Sequence, residues 1–195
     1  MDSSGTHDDP EQPDDEFPQA LAAHDFRAAV AALMRRHGTN VFRFCLELLR
    51  DRDAAEDTLQ VVFLQAFEAL PRYEPRTSAR AWLFGIARHR CLDALKGRRS
   101  HLRVVSPEAS LPDAPDPNEG GESSLLRGEL EAALRACLDE LPVTAREIVY
   151  LRYSAQLGYD EIAELCDERP GTLRVRVARA LPLLRECLER KGLAA

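Results

Sequence analysis

GYDEIAELCDERPGTLRVRVARA, residues 158–180, decides the fold. Its first half predicts a short helix, about 158–166, with Ile162, Ala163 and Leu165 turned inward. Ala163 is small, as close packing at a tight helix–turn–helix requires. Asp167 to Gly171 form the turn, and Pro170 and Gly171 lead into a second helix, about 171–190. In that helix Leu173, Val177, Ala180, Leu181 and Leu184 fall within an arc of about 100° at helical spacing. Thr172, Val175 and Arg179 face the opposite way, and Arg174 and Arg176 flank the apolar stripe. An apolar back and a short cationic front suit a helix that enters the major groove of DNA. A solvated amphipathic helix, its arginines paired with Glu168, Glu186 and Glu189, is the alternative reading of the same segment.

The arginines stand out because the chain is acidic, with a formal net charge of -7. The acid is not evenly spread. Residues 1–25 carry -8 and residues 106–125 carry -5, while residues 26–105 carry +7 and residues 126–195 carry only -1. A phosphate backbone responds to local basic patches, so the total does not exclude a nucleic-acid partner.

Composition also sets the organisation. Residues 1–23 are acidic, polar and Pro-containing, and cannot bury enough apolar surface to offset the entropy of ordering; a disordered extension is expected. The stretch 104–123, VVSPEASLPDAPDPNEGGES, holds four prolines and two glycines and reads as part of a linker, 101–123. It divides two helical blocks, 24–100 and 124–191. In the first block, apolar residues recur at helical spacing through Phe26, Val30 and Leu33, then Val41, Phe44, Cys45 and Leu48, then Leu59, Val62, Phe63, Ala66 and Leu70. Breaks are expected at His37-Gly38-Thr39 and at Asp51-Arg52-Asp53, with Asp53 as N-cap. After a loop at 71–77, a fourth helix runs from an N-cap at Ser78 to about Arg99. The second block predicts helices at about 124–140, 143–154, 158–166 and 171–190. Pro182 inside the last is a candidate bend. The expected fold class is all-α: two small helical domains joined by a flexible linker.

The five cysteines are odd in number and include no CxxC pair, which predicts free thiols partly buried in helices rather than disulfides. No apolar run is long enough to span a bilayer, and the N-terminus lacks the features of a secretory signal. A cytoplasmic protein is expected, a monomer when free, without cofactor or metal. No P-loop, GxGxxG or nucleophile–base pair suggests an enzyme. His89 and Asp93, four residues apart, read as a surface pair.

DRDAAEDTLQVVFLQAFEAL (51–70), RAWLFGIARHRCLDALKGRR (80–99), ACLDELPVTAREIVYLRY (136–153) and the 159–180 segment stand together in an order and at a spacing that resemble the extracytoplasmic-function (ECF) sigma factors. These are compact promoter-specificity subunits of bacterial RNA polymerase, with a region 2 and a region 4. The resemblance implies that Asp57, Gln60, Phe63 and Leu64 dock on the clamp helices of the largest polymerase subunit. It implies that the loop around Tyr73 to Thr77 and the helix after it, with Arg76, Arg80, Arg88, Lys96, Arg98 and Arg99, open and read the -10 element. Trp82 is expected to anchor the core rather than stack on a base, with Ile86 and Leu92 on the apolar side. Thr172, Arg174, Arg176 and Arg179 would read the -35 element. An anti-sigma protein is a further partner that the resemblance brings in. The chain departs from the family pattern at Val61, His89, Asp167 and Glu168. The rival readings are a stand-alone helix-turn-helix regulator and a helical protein-binding adaptor.

Overall fold

The computed structural model describes residues 16–74, 77–101 and 122–193, with side chains left undescribed at 98–101 and 122–127. The described residues are helical, without strands. Eight α-helices follow in order: α1 (Glu16–Ala22), α2 (Phe26–Leu49), α3 (Arg52–Ala69), α4 (Ala79–His101), α5 (Glu122–Asp139), α6 (Val143–Val149), α7 (Tyr159–Cys166) and α8 (Pro170–Arg190). A 3-10 turn at Leu70–Arg72 follows α3, and a π turn at Tyr150–Ser154 extends α6. None of these helices is long and apolar enough to cross a membrane.

Local chemistry sets the helix starts. Asp25 Oδ1 accepts from the Ala28 N–H at 3.0 Å. Ser78 Oγ, the expected cap of α4, accepts from the Ala81 N–H at 3.1 Å. At α3 the cap is Asp51, not Asp53: Asp51 Oδ1 accepts from Ala54 N–H at 2.9 Å, and Asp53 lies in the first turn. Both aspartates fit the local rule, and the αL backbone at Arg50 (φ 55°), which ends α2, places Asp51 as the first extended residue.

The expected break at His37-Gly38-Thr39 is not there. α2 runs unbroken through it, with His37 and Gly38 both buried. Glycine costs about 1 kcal/mol relative to alanine inside a helix. Packing of α2 against α1, α3 and α4 exceeds that penalty. The extension also differs from expectation, since Glu16–Ala22 is helical. Glu16 pairs with Arg35 at 2.6 Å and Phe17 sets its ring edge-on to Tyr73 at 5.8 Å. Residues 1–15 and 102–121, where the rest of the extension and most of the linker were expected, lie outside the described residues.

The two blocks share one core. Phe44 and Phe84 meet edge to face at 5.5 Å, and Tyr150 of the second block adds its ring 5.6 Å from Phe44. Val41, Val62 and Leu83 from the first block join Ile148, Leu151, Leu157, Ile162, Leu173 and Val177 from the second. At Gly85 on α4 an added Cβ would come within 2.8 Å of Leu165 Cδ2, so the glycine lets α7 approach closely. A smaller core at the far end of the second block gathers Cys137, Leu141, Ala145, Val149, Ala180, Leu184 and Cys187. Leu181, expected in the apolar stripe of α8, is exposed at the stripe's margin.

The cysteine expectation is corrected in one pair. Cys137 and Cys187 form a disulfide between α5 and α8, with Cα atoms 5.7 Å apart and 50 residues between them in sequence. Only the crossing of two helices brings them together, which no spacing rule reveals. Cys45, Cys91 and Cys166 are free, the first two buried.

Candidate nucleic-acid interface

On α8 the described front matches its amphipathic pattern. Leu173, Val177, Ala180 and Leu184 are buried, while Thr172, Arg174, Val175 and Arg179 are exposed. Arg174 lies over the Tyr159 ring at 5.2 Å, and Arg152 lies over the same ring at 5.3 Å. Tyr159 thus holds two cations near the start of α7, a role that sequence reasoning missed because tyrosine there reads as packing. Arg176 is turned to Glu168 in a two-pronged pair, 2.8 and 2.7 Å, whose hydrogen bonds push its pKa up. A cavity of about 270 Å³ beside this face is lined by Leu141, Pro142, Ala145, Val175, Arg179 and Leu183 among others.

α3 presents a second face. Asp57, Gln60, Val61, Leu64 and Phe67 are exposed at the spacing of one helical side. Leu64 is 59% exposed, whereas Phe63 is 3% exposed and belongs to the shared core. The structure therefore separates Phe63 from the other three residues expected to contact the polymerase. Val61 and Phe67 take its place on the surface.

Among the described residues, those expected along the -10 track do not form one open strip. Tyr73 sits between Phe17 and Trp82, its ring 4.8 Å from the Trp82 ring, and burial pushes its phenol pKa up. Trp82 is half-buried against the core, as is Ile86. Leu92 is half-buried as well. Arg80 Nη2 donates to the Gln156 carbonyl at 3.1 Å, and Arg88 Nε donates to Glu147 Oε1 at 2.6 Å. Both arginines of the first block thus engage the second. Lys96 is exposed, with Nζ 3.9 Å from Asp93 Oδ1. Asp93 also lies 3.3 Å from exposed His89, the surface pair expected. Arg76 lies outside the described residues, as do the side chains of Arg98 and Arg99.

Further polar ties join the blocks. Tyr150 Oη donates to the Asn40 carbonyl at 3.0 Å. Glu161 Oε2 accepts from the Gly158 N–H at 2.8 Å, and its Oε1 accepts from the Ser78 hydroxyl at 2.5 Å. One carboxylate therefore caps α7 and reaches the cap of α4. Burial pushes the Glu161 pKa up, but the Ser78 and Gly158 hydrogen bonds, aided by Arg80, outweigh it and leave the carboxyl below its ordinary range. A depressed carboxylate pKa adds stability above the unfolded value and loses it as pH falls through the folded one. Ser78→Ala should move the Glu161 pKa upward in a side-chain NMR titration, and acid-induced separation of the blocks should begin at higher pH. An unchanged Glu161 titration would remove Ser78 as its partner.

Comparisons with known proteins fit this arrangement. The family model described as Sigma-70 region 2 matches residues 33–101, and that described as Sigma-70, region 4 matches residues 131–184. The ECF RNA polymerase sigma factor SigC of Mycobacterium tuberculosis is 32% identical over 170 residues, 86% of this chain and 89% of that protein. RNA polymerase sigma factor CarQ of Myxococcus xanthus is 34% identical over 162 residues, 80% of this chain and 87% of that one. Among solved structures, the sigma factor RpoE in complex with the anti-sigma factor NepR from Bartonella quintana has a TM-score of 0.68 at 22% identity, over 85% of this chain and 97% of that one. CnrH in complex with the cytosolic domain of CnrY gives 0.63 at 22% identity, over 90% and 99%.

Proposed function

The chain belongs to the ECF sigma factors, and from that membership we propose how its faces divide the work of binding RNA polymerase core and starting transcription at specific promoters. The exposed stripe of α3, with Asp57, Gln60, Val61, Leu64 and Phe67, docks on the clamp helices of the polymerase. The front of α8, with Thr172, Arg174 and Arg179, reads the -35 element in the major groove. Arg176 supports that face through Glu168 until DNA phosphate competes for it. Arg80, Arg88 and Lys96, with Arg76, Arg98 and Arg99, track the melted -10 strand. The domains divide as region 2 over 24–100 and region 4 over 124–191. The protein acts by recognition, in the cytoplasm with the polymerase, and an anti-sigma protein is a second class of partner.

The observation that carries this reading is the pairing, in one chain, of an exposed apolar stripe on α3 with a cationic exposed front on α8. A stand-alone regulator has no use for the first. The docked arrangement then has a meaning: it is a closed form, because Arg80 and Arg88 are engaged by Gln156 and Glu147. Reading the -10 and -35 elements together requires the blocks to separate.

The test is transcription from a promoter library by purified bacterial core polymerase, with and without the protein. Start sites that appear only with it are expected. Arg174→Ala and Arg179→Ala should weaken initiation and each reduce the slope of log affinity against log salt by about 0.9 on -35 duplex DNA. Duplex binding without core binding or initiation would favour the stand-alone regulator.

A further inference from the structure

α1 is lightly held. None of its seven residues is buried, and a helix of that length is not stable alone. The chain reverses after it through His24, in the left-handed region at φ 56°, before Asp25 caps α2. Glu16 and Arg35 pair with side chains 71% and 63% exposed, so their bond adds little. Phe17 carries α1 inward. It packs at the edge of the shared core and sets its ring edge-on to Tyr73 at 5.8 Å. Tyr73 stands where the chain leaves the 3-10 turn after α3, its N–H donating to the Leu70 carbonyl at 3.0 Å. The Tyr73 ring also meets Trp82, 4.8 Å away on the first turn of α4. Three rings from α1, the exit of α3 and the entry of α4 thus form one row.

Two sets of ties hold the entry of α4. Ser78 and Arg80 reach the second block through Glu161 and the Gln156 carbonyl. Those ties are lost when the blocks separate. The aromatic row lies wholly in the first block and survives separation. We propose that Phe17 is a positioning residue for reading the -10 element: it holds the Tyr73 ring against Trp82 and so fixes the chain ahead of α4 once the second block has let go. The inference rests on the proposed promoter reading. A base taken out of the stack is bound most tightly by groups already in place, because ordering them on binding costs affinity. Edge-to-face aromatic contacts are directional, so a leucine at position 17 can fill space without setting the angle of the Tyr73 ring. Phe17 acts through Tyr73 and touches no base.

The experiment compares the full chain with its Phe17→Leu, Phe17→Tyr and Glu16→Ala variants. Trp82 is the only tryptophan, so its fluorescence reports the row directly. In the free protein, Phe17→Leu should increase acrylamide quenching of Trp82 and quicken exchange of the Tyr73 amide about fivefold. Phe17→Tyr should keep both at the original level. With core polymerase and a promoter library randomised at both elements, Phe17→Leu should lower discrimination among -10 sequences by about fivefold, with the -35 preference unchanged. Phe17→Tyr should restore that discrimination, and Glu16→Ala should leave it as it was. Unchanged Trp82 quenching and Tyr73 exchange in Phe17→Leu would overturn the proposal. So would an equal loss at both elements, the mark of a chain that is merely less stable, or sharper -10 discrimination, which would make α1 a cover. No initiation by the unaltered protein, with the Trp82 response present, would fault the promoter reading itself and leave Phe17 a brace of the fold alone.

Discussion

Leu64→Arg is expected to lower affinity for RNA polymerase core by a hundredfold or more while the protein stays folded. Leu64 is 59% exposed at the centre of the α3 stripe, with Gln60 and Val61 beside it on the same face. A hundredfold loss corresponds to about 2.7 kcal/mol, within the range for a central contact in a helix-on-helix interface. An arginine there places an unpaired charge where an apolar side chain would be covered. Folding should be untouched, because Leu64 makes no part of the core. Its neighbour is the control. Phe63 is 3% exposed in the shared core, and Phe63→Ala should cost about 3–5 kcal/mol of stability by leaving a cavity. Co-purification with core, alongside thermal unfolding by circular dichroism, separates the two effects. If Leu64→Arg binds core as tightly as the unaltered protein, α3 is not the polymerase face.

The difference between Leu64 and Phe63 also marks how far sequence could go. Local patterns were legible. The α7–turn–α8 unit was visible because its buried and exposed positions alternate at helical spacing, and the Ser78 cap because capping is a local bond. Errors arose where several local choices were equal or where packing overrode them. Asp51 and Asp53 are both good caps, and backbone geometry at Arg50 chose between them. Gly38 weakens a helix, yet burial on α2 carries the helix through it. The ties between the blocks leave no periodic trace at all. Ser78 and Glu161 are 83 residues apart, and Arg88 and Glu147 are 59 apart. In sequence each acid looks like an ordinary helix residue, and each arginine like a DNA contact. The Cys137–Cys187 bond was hidden for the same reason.

Glu147→Ala should then open the closed form, and this is the largest stability effect expected on the second block. Its side chain is 7% exposed and accepts from Arg88, itself 23% exposed, at 2.6 Å. Removing one partner of a buried pair leaves the other charge uncompensated at a cost of about 3–5 kcal/mol. Partial exposure of Arg88 places this pair toward about 3 kcal/mol. Because the blocks share a core, the unaltered chain should melt in one transition, and the variant should melt about 6–12 °C lower or in two steps. Releasing Arg88 should also raise affinity of the free protein for a single-stranded -10 oligonucleotide, since that cation no longer has an internal partner. An Arg88→Met/Glu147→Leu variant separates the two consequences. Apolar side chains of similar size should restore the single melt, as replacing a buried ion pair often does. The gain in single-strand affinity should vanish with the cation. A Glu147→Ala chain that melts like the original and binds the oligonucleotide no better would mean that Arg88 is not held back by Glu147, and that the docked blocks are no barrier to DNA.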